Sequence, residues 1–320
     1  MTHHLSVIRQ PDLAGISDAA AILQGGGLVA FPTETVYGLG ADATNGIAVA
    51  EIFAAKGRPR FNPLIVHVNG ADQAKEFVEF SEEAKALVNA FWPGPLTLVL
   101  PRKSGCKLTP LVSAGLPTVA MRAPANAIAQ ALIEEAGVPI AAPSANPSGK
   151  VSATSSAHVQ AGLGGKVDMI LDGGSTKIGV ESTVIGFVLH KPVLLRPGGT
   201  PREQIEKIVG PLASPQNGTI TSPGQLSSHY APRAFVRLNA TSVQPGEALL
   251  AFGPNPYPSD GPMINLSPCG DLSEAAANLF AMLLELDRLG VARIAVMPIP
   301  TNGLGEAIND RLTRAGAPRP

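Results

Sequence analysis

Short apolar runs rich in β-branched residues alternate with helical patterns from residue 17 to residue 315, and the alternation breaks once. Runs at 28–31, 64–68, 96–100, 118–122, 139–142, 169–171, 183–188 and 193–195 read as strands, and 17–24, 45–56, 81–91, 126–136 and 201–209 read as helices. Ser81 takes an N-cap position with Glu82 and Glu83 in the first turn, where unpaired amides favour an oxygen acceptor and negative charge. Thr200 before Pro201 predicts a second start of this kind, because proline suits the first helical position. Strands and helices in alternation predict a mixed α/β fold built around a sheet.

The break falls at about residues 212–232, in PLASPQNGTITSPGQLSSHYAPR, which is rich in Pro, Gly, Ser and Thr and has no period of either kind. Beyond it, strand-like runs at 234–238, 248–252, 263–266 and 294–297 surround a long helix at 273–289 and a last one at 305–315. Leu272, Ala276, Leu279, Phe280, Leu283 and Leu286 share one face of the long helix at spacings of three and four, and Gly290 supplies its stop. The pattern predicts a larger α/β domain over 1–211, a linker over 212–232 and a small α/β domain over 233–320. A unit of that size is expected to dock on its neighbour.

Charge excludes several classes of function. With 24 Lys and Arg against 25 Asp and Glu, the net charge is −1, which is wrong for a protein that coats nucleic acid through bulk charge. Cys106 and Cys269 stand far apart, without the spacing of a zinc ribbon or a disulfide framework. The opening MTHHLSVIRQPDL has no apolar run of signal-peptide length, and no stretch approaches the ~20 apolar residues of a membrane span. The expectation is a soluble cytoplasmic protein with no membrane association.

Three segments could carry chemistry. FPTETVYGLGADA (31–43) sets Thr33, Glu34, Thr35 and Tyr37 between an apolar strand and a Gly-flanked turn, and reads equally as a ligand edge or as a plain turn. KGRPRFNPL (56–64) puts Lys56, Arg58 and Arg60 in a loop stiffened by Pro59 and Pro63, which suits a polyphosphate but also describes a solvated basic loop. PSANPSGKVSAT (143–154) offers Ser144, Asn146, Ser148 and Ser152 around Gly149, as a phosphate-binding turn or an ordinary one. GVESTVIG (179–186) and LLRPGG (194–199) again end strands on a hydroxyl or an arginine. The six histidines are scattered without metal or triad spacing, and His67 inside a strand reads as structural.

Taken in order, FPTETVYGLGADA, KGRPRFNPL, WPGPLTLVL, SANPSG, ESTV, LRPG, SPG…HYAP and NDRLTRA resemble the YrdC-type threonylcarbamoyl-AMP synthase family in its long, two-domain form. The resemblance implies a YrdC-like twisted mixed sheet with a concave cleft, plus a smaller Rossmann-like domain. It implies condensation of L-threonine, bicarbonate or CO2, and ATP to L-threonylcarbamoyl-AMP and pyrophosphate, with Mg2+ accompanying ATP. A separate transferase complex would pass the group to tRNA, beside the anticodon. By motif position it assigns ATP to Lys56, Arg58, Asn62, Thr118, Ser144, Asn146, Ser152 and Arg196, with Lys56 and Arg58 neutralising phosphates. Threonine falls to Thr35, His67, Arg122, the Ala142 backbone and Ser182, with Arg122 on the carboxylate. Tyr230 in HYAP is the lid contact to ATP. Gln225 stands where the linker motif usually carries Met, and Gly316 interrupts an Ala-rich tail.

Two rival readings follow. A non-catalytic module for tRNA or double-stranded RNA would use the same concave face, but 4% aromatic residues and a neutral charge supply neither stacking platforms nor a phosphate footprint. The carbamoyltransferase of hydrogenase maturation also carries a YrdC-like domain, but it needs zinc-finger cysteines that two isolated ones cannot provide.

Overall fold

A computed structural model describes residues 6–189, 191–214 and 229–318. The SPG part of the linker motif and Gln225 lie outside the described residues. The first part of the chain forms β1 (Val7–Arg9), α1 (Leu13–Gln24), β2 (Val29–Pro32), β3 (Tyr37–Asp42), α2 (Gly46–Lys56), β4 (Ile65–His67), α3 (Ala71–Ala74) and α4 (Glu82–Phe91). There follow β5 (Leu96–Pro101), β6 (Thr118–Arg122), α5 (Ala127–Ala136), β7 (Ile140–Ala141), α6 (Ser156–Leu163), β8 (Met169–Leu171), β9 (Thr183–Val188), β10 (Lys191–Arg196) and α7 (Arg202–Val209). Their strands make one mixed sheet in the order β1-β8-β2-β3-β7-β4-β6-β5-β9-β10.

Local chemistry explains most boundaries. Ser81 caps α4 by accepting from the Ala84 amide, as its position predicts. Asn45 caps α2 through the amides of Ile47 and Ala48, and Gly57 ends it in the left-handed region at φ 60°. The Thr200 expectation fails. Pro201 is itself the cap residue, without a side-chain bond, because the Thr200 backbone is turned to the buried Thr183 hydroxyl.

Of the two readings of 31–43, the plain turn fails beyond Val36: Tyr37–Asp42 is a strand antiparallel to β2, buried up to its last residue. Glycine hides it from propensity, yet the space demands glycine. A Cβ on Gly40 would stand 2.8 Å from both Phe31 and Ile140 side-chain carbons. The strand β1 and the helix α6 were not anticipated.

After the linker come β11 (Phe235–Arg237), β12 (Glu247–Ala251), β13 (Met263–Asn265), α8 (Leu272–Arg288), β14 (Arg293–Val296) and α9 (Leu304–Ala315). The strands form a second sheet, β11-β14-β12-β13, with every pairing parallel. The face foreseen on α8 is buried except at Leu272, which is partly covered.

The two sheets share one apolar cluster, in which Val36, Val151 and Val180 join Tyr230, Leu279 and Phe280. At this boundary a Cβ on Gly179 would lie 2.3 Å from the Ala276 carbonyl oxygen and 2.5 Å from Ala277 Cα, so backbone rests directly on α8. Arg202 and Glu306 add a half-exposed ion pair across the boundary at 2.5 Å.

Candidate active site

The β2–β3 hairpin turns over residues 33–36, and Thr33 fixes its tip. Thr33 Oγ1 donates to the Val36 carbonyl at 2.7 Å and accepts from the Thr35 amide at 3.1 Å. The tip meets the end of β6, where Arg122 donates to Thr35 Oγ1 (2.9 Å), Glu34 Oε1 (2.7 Å) and the Gly94 carbonyl (3.2 Å). Strand β4 runs parallel to β6 with His67 opposite Arg122, which brings the imidazole to the same corner. Burial, then repulsion from Arg122, pushes the His67 pKa down to about 3, so the ring is neutral.

Cations gather at a second corner. Lys56 aims its ammonium from the last turn of α2 at the carbonyls of Ser144 and Asn146. Arg58 donates to the carbonyls of Asn62 (3.3 Å) and Pro63 (2.9 Å). Arg196, ending β10, donates Nε and Nη2 to the Ser182 carbonyl at 3.2 and 2.8 Å. All three are buried and rest on neutral oxygens. Burial lowers Lys56 well below its usual value, brings Arg58 down to about 10 and lowers Arg196 as well.

Glu181 is the acid among the described cleft walls. Its Oε1 accepts from Ser152 Oγ at 2.5 Å and its Oε2 from Arg311 Nε at 2.6 Å. Burial pushes this carboxyl up, but Arg311, Arg196 and the two hydrogen bonds outweigh it and hold it down to about 2. Arg311 reaches over from α9, wholly buried, with Nη1 on Asp310 at 2.6 Å and its guanidinium carbon 5.1 Å from the Tyr230 ring centre. Tyr230 stacks on Phe280 of α8 at 5.5 Å and closes the cleft together with His229.

The cleft spans about 570 Å³ of space, part of it open to solvent. Among the predicted residues, Thr35, Arg58, His67, Arg122, Ala142, Ser144, Ser182, Arg196 and Tyr230 line it. Lys56 and Ser152 stand behind that wall and hold Ser144 and Glu181. Asn146 is turned to the carbonyls of Pro147 and Lys150, and the Asn62 amide is buried without a partner among the described residues. Thr118 is not brought in: it sits half-buried opposite Pro101, at the other end of β6 from Arg122.

A family model described as telomere recombination, for Sua5, YciO and YrdC, matches residues 21–198, and one described as the threonylcarbamoyl-AMP synthase C-terminal domain matches residues 200–317. The chain belongs to the Sua5/YciO/YrdC family. Its similarity to named members spans both sheets. The threonylcarbamoyl-AMP synthase of Pyrococcus abyssi is 44% identical over 94% of each chain, and that of Bacillus subtilis is 44% identical over 95% of this chain and 93% of its own. The crystal structure of P. abyssi Sua5 complexed with L-threonine superimposes with a TM-score of 0.89, at 42% identity, covering 98% of this chain and 97% of that one.

Sequence reasoning missed Glu181, His229 and Arg311, and it placed Glu34 at a candidate ligand edge without its partner. All four lie inside the motifs that marked the Sua5/YciO/YrdC resemblance. For the two acids the partner is distant in sequence, Arg122 for Glu34 and Arg311 for Glu181, so spacing along the chain does not reveal it.

Proposed function

We propose that this chain is an L-threonylcarbamoyladenylate synthase, condensing L-threonine, bicarbonate or CO2, and ATP to L-threonylcarbamoyl-AMP and pyrophosphate. The observation that carries the reading is a cleft walled by three buried arginines, Arg58, Arg122 and Arg196, with Lys56 immediately behind. Such a site is built for two anions, a triphosphate and a carboxylate. The near-full-length likeness to named synthases supports this particular reaction.

Threonine's amine, once deprotonated, adds to CO2 as a carbamate. A carbamate oxygen then attacks the α-phosphorus and pyrophosphate leaves. No covalent enzyme intermediate is needed, so the work falls to positioning and to stabilising charge on phosphoryl oxygens. Arg58 and Arg196 take phosphate oxygens, and Lys56 stiffens the wall that carries Ser144. Arg122 takes the threonine carboxylate beside Thr35, Ser182, the Ala142 backbone and neutral His67. Tyr230 covers ATP, while Asn62, Asn146 and Ser152 complete the nucleotide side, and Thr118, at the far end of β6, is left out of it. Magnesium arrives with ATP as part of that substrate, since Glu181 is already engaged by Ser152 and Arg311.

The same reading divides the chain at 1–211, 212–232 and 233–320, places it in the cytoplasm, and gives its product to a separate threonylcarbamoyl transferase that modifies tRNA. No described helix is long and apolar enough to cross a membrane. A non-catalytic RNA module is disfavoured because Lys56, Arg58 and Arg196 are buried, out of reach of a duplex backbone.

Pyrophosphate release from ATP and bicarbonate tests the proposal. We expect release to require L-threonine, to be weak with L-serine, and to fall roughly 10²-fold or more in Arg58→Ala. Threonine-independent turnover, or none from folded protein that binds ATP, would overturn it.

A further inference from the structure

Among the described residues, three cations of the nucleotide corner, Lys56, Arg58 and Arg196, donate their hydrogen bonds only to uncharged oxygens. Glu181 shares the cleft wall with two of them, yet its carboxylate is spent elsewhere, on Ser152 and on Arg311 from the second sheet unit. A buried carboxylate left unpaired is costly and takes whatever cation it can reach. Here Lys56 and Arg196 already feel the Glu181 charge, and Arg58 lines the same cleft, so the cations nearest to it are ones that a triphosphate would need.

We propose that Arg311 is a positioning residue of the nucleotide site: by pairing with Glu181 across the domain boundary, it withholds that carboxylate from Lys56, Arg58 and Arg196 and keeps them available to the ATP triphosphate. This rests on the functional reading above. Arg311 is suited to the task. It is fully buried, it pairs with Asp310 through Nη1, and its face lies over the Tyr230 ring. Asp310 and the ring hold the guanidinium in place while Nε serves Glu181. The second unit therefore acts on the chemistry electrostatically, without lining the cleft through Arg311 itself.

A residue that only docked the two units would behave differently from one that restrains a carboxylate, and removal of that carboxylate separates the two cases. The experiment titrates Mg-ATP, and separately L-threonine, into wild type, R311Q, R311K, E181Q and the double variant R311Q/E181Q. In R311Q, ATP affinity is expected to fall roughly ten- to a hundredfold, the range of coupling between buried charges. Threonine affinity should change by less than about threefold, since Arg122 lies at the other corner. R311K, which retains a cation, should bind ATP within about fivefold of wild type. The double variant should recover ATP binding to within about threefold of wild type, because the competing carboxylate is gone.

Equal ATP binding by R311Q and wild type would overturn the inference, as would a double variant no better than R311Q. Should R311Q fail to fold, E181Q decides alone: ATP binding within about threefold of wild type, or tighter, supports the inference, and any weaker binding overturns it. Wild-type protein that binds no ATP would instead overturn the functional reading, and this inference with it.

Discussion

Arg122 and Glu34 meet at 2.7 Å with both side chains buried, so the guanidinium assigned to threonine already carries an internal carboxylate. An incoming amino acid shares Arg122 instead of meeting a bare charge. Arg122→Ala should weaken threonine binding roughly 10²-fold and cost about 3–5 kcal/mol of stability, because Glu34 is left buried alone. Calorimetric titration and urea unfolding check both; a threonine Kd within twofold of wild type would refute the assignment.

Tyr230 offers a cleaner separation of stability from function. Its hydroxyl is buried and has no hydrogen-bond partner among the described residues, while its ring stacks on Phe280. Tyr230→Phe should therefore leave stability unchanged or raise it by up to about 1 kcal/mol. If the hydroxyl serves ATP, the KM for ATP rises at the same time. A variant that loses stability and keeps its KM would show the opposite division of labour.

Acid should loosen the fold before it protonates Glu181. His67 titrates at about 3 when folded against 6.5 in the open chain, so the unfolded state takes up the proton first. Stability is complete above pH about 6.5 and falls as pH drops towards 3, by about 2 kcal/mol at pH 5. His229 is depressed to about 3 as well, chiefly by burial, and adds to the same slope. Glu181, held at about 2 against 4.5, loses its contribution only below pH 4.5. Urea midpoints at pH 7.5 and 5 should diverge less in His67→Gln than in wild type; equal divergence would remove His67 from the account.

Gly179→Ala should break the boundary between the two units. At φ 76° an L residue is strained, and its Cβ would strike the Ala276 carbonyl and the Ala277 backbone, which cannot rotate away. A cost of about 2–3 kcal/mol is expected, with faster proteolysis between the units. Limited proteolysis at the wild-type rate would show that α8 yields instead.

Much of the sheet could be read from the chain because buried β-branched runs such as those containing Ile65–His67 and Thr118–Arg122 announce themselves. Tyr37–Asp42 could not. Its glycines are there because Phe31 and Ile140 press on them, a requirement set by tertiary contact rather than propensity. Nor could the shift of the α7 cap from Thr200 to Pro201 be read, since Thr183 claims Thr200 from 17 residues away. In the site, motifs located the arginines, but spacing says nothing of what each one faces. The Glu34–Arg122 and Glu181–Arg311 pairs join residues 88 and 130 positions apart, and exist only once the sheets are assembled.

Val36 and Val180 from the first sheet unit bury themselves among Leu279 and Phe280 of α8. Neither half of the chain thus owns a finished interior at this seam. Cut between residues 214 and 229, the two fragments would each display a sticky apolar surface shaped for the other. Mixed together, they would find one another again and work as a split enzyme, with catalysis reporting their reunion.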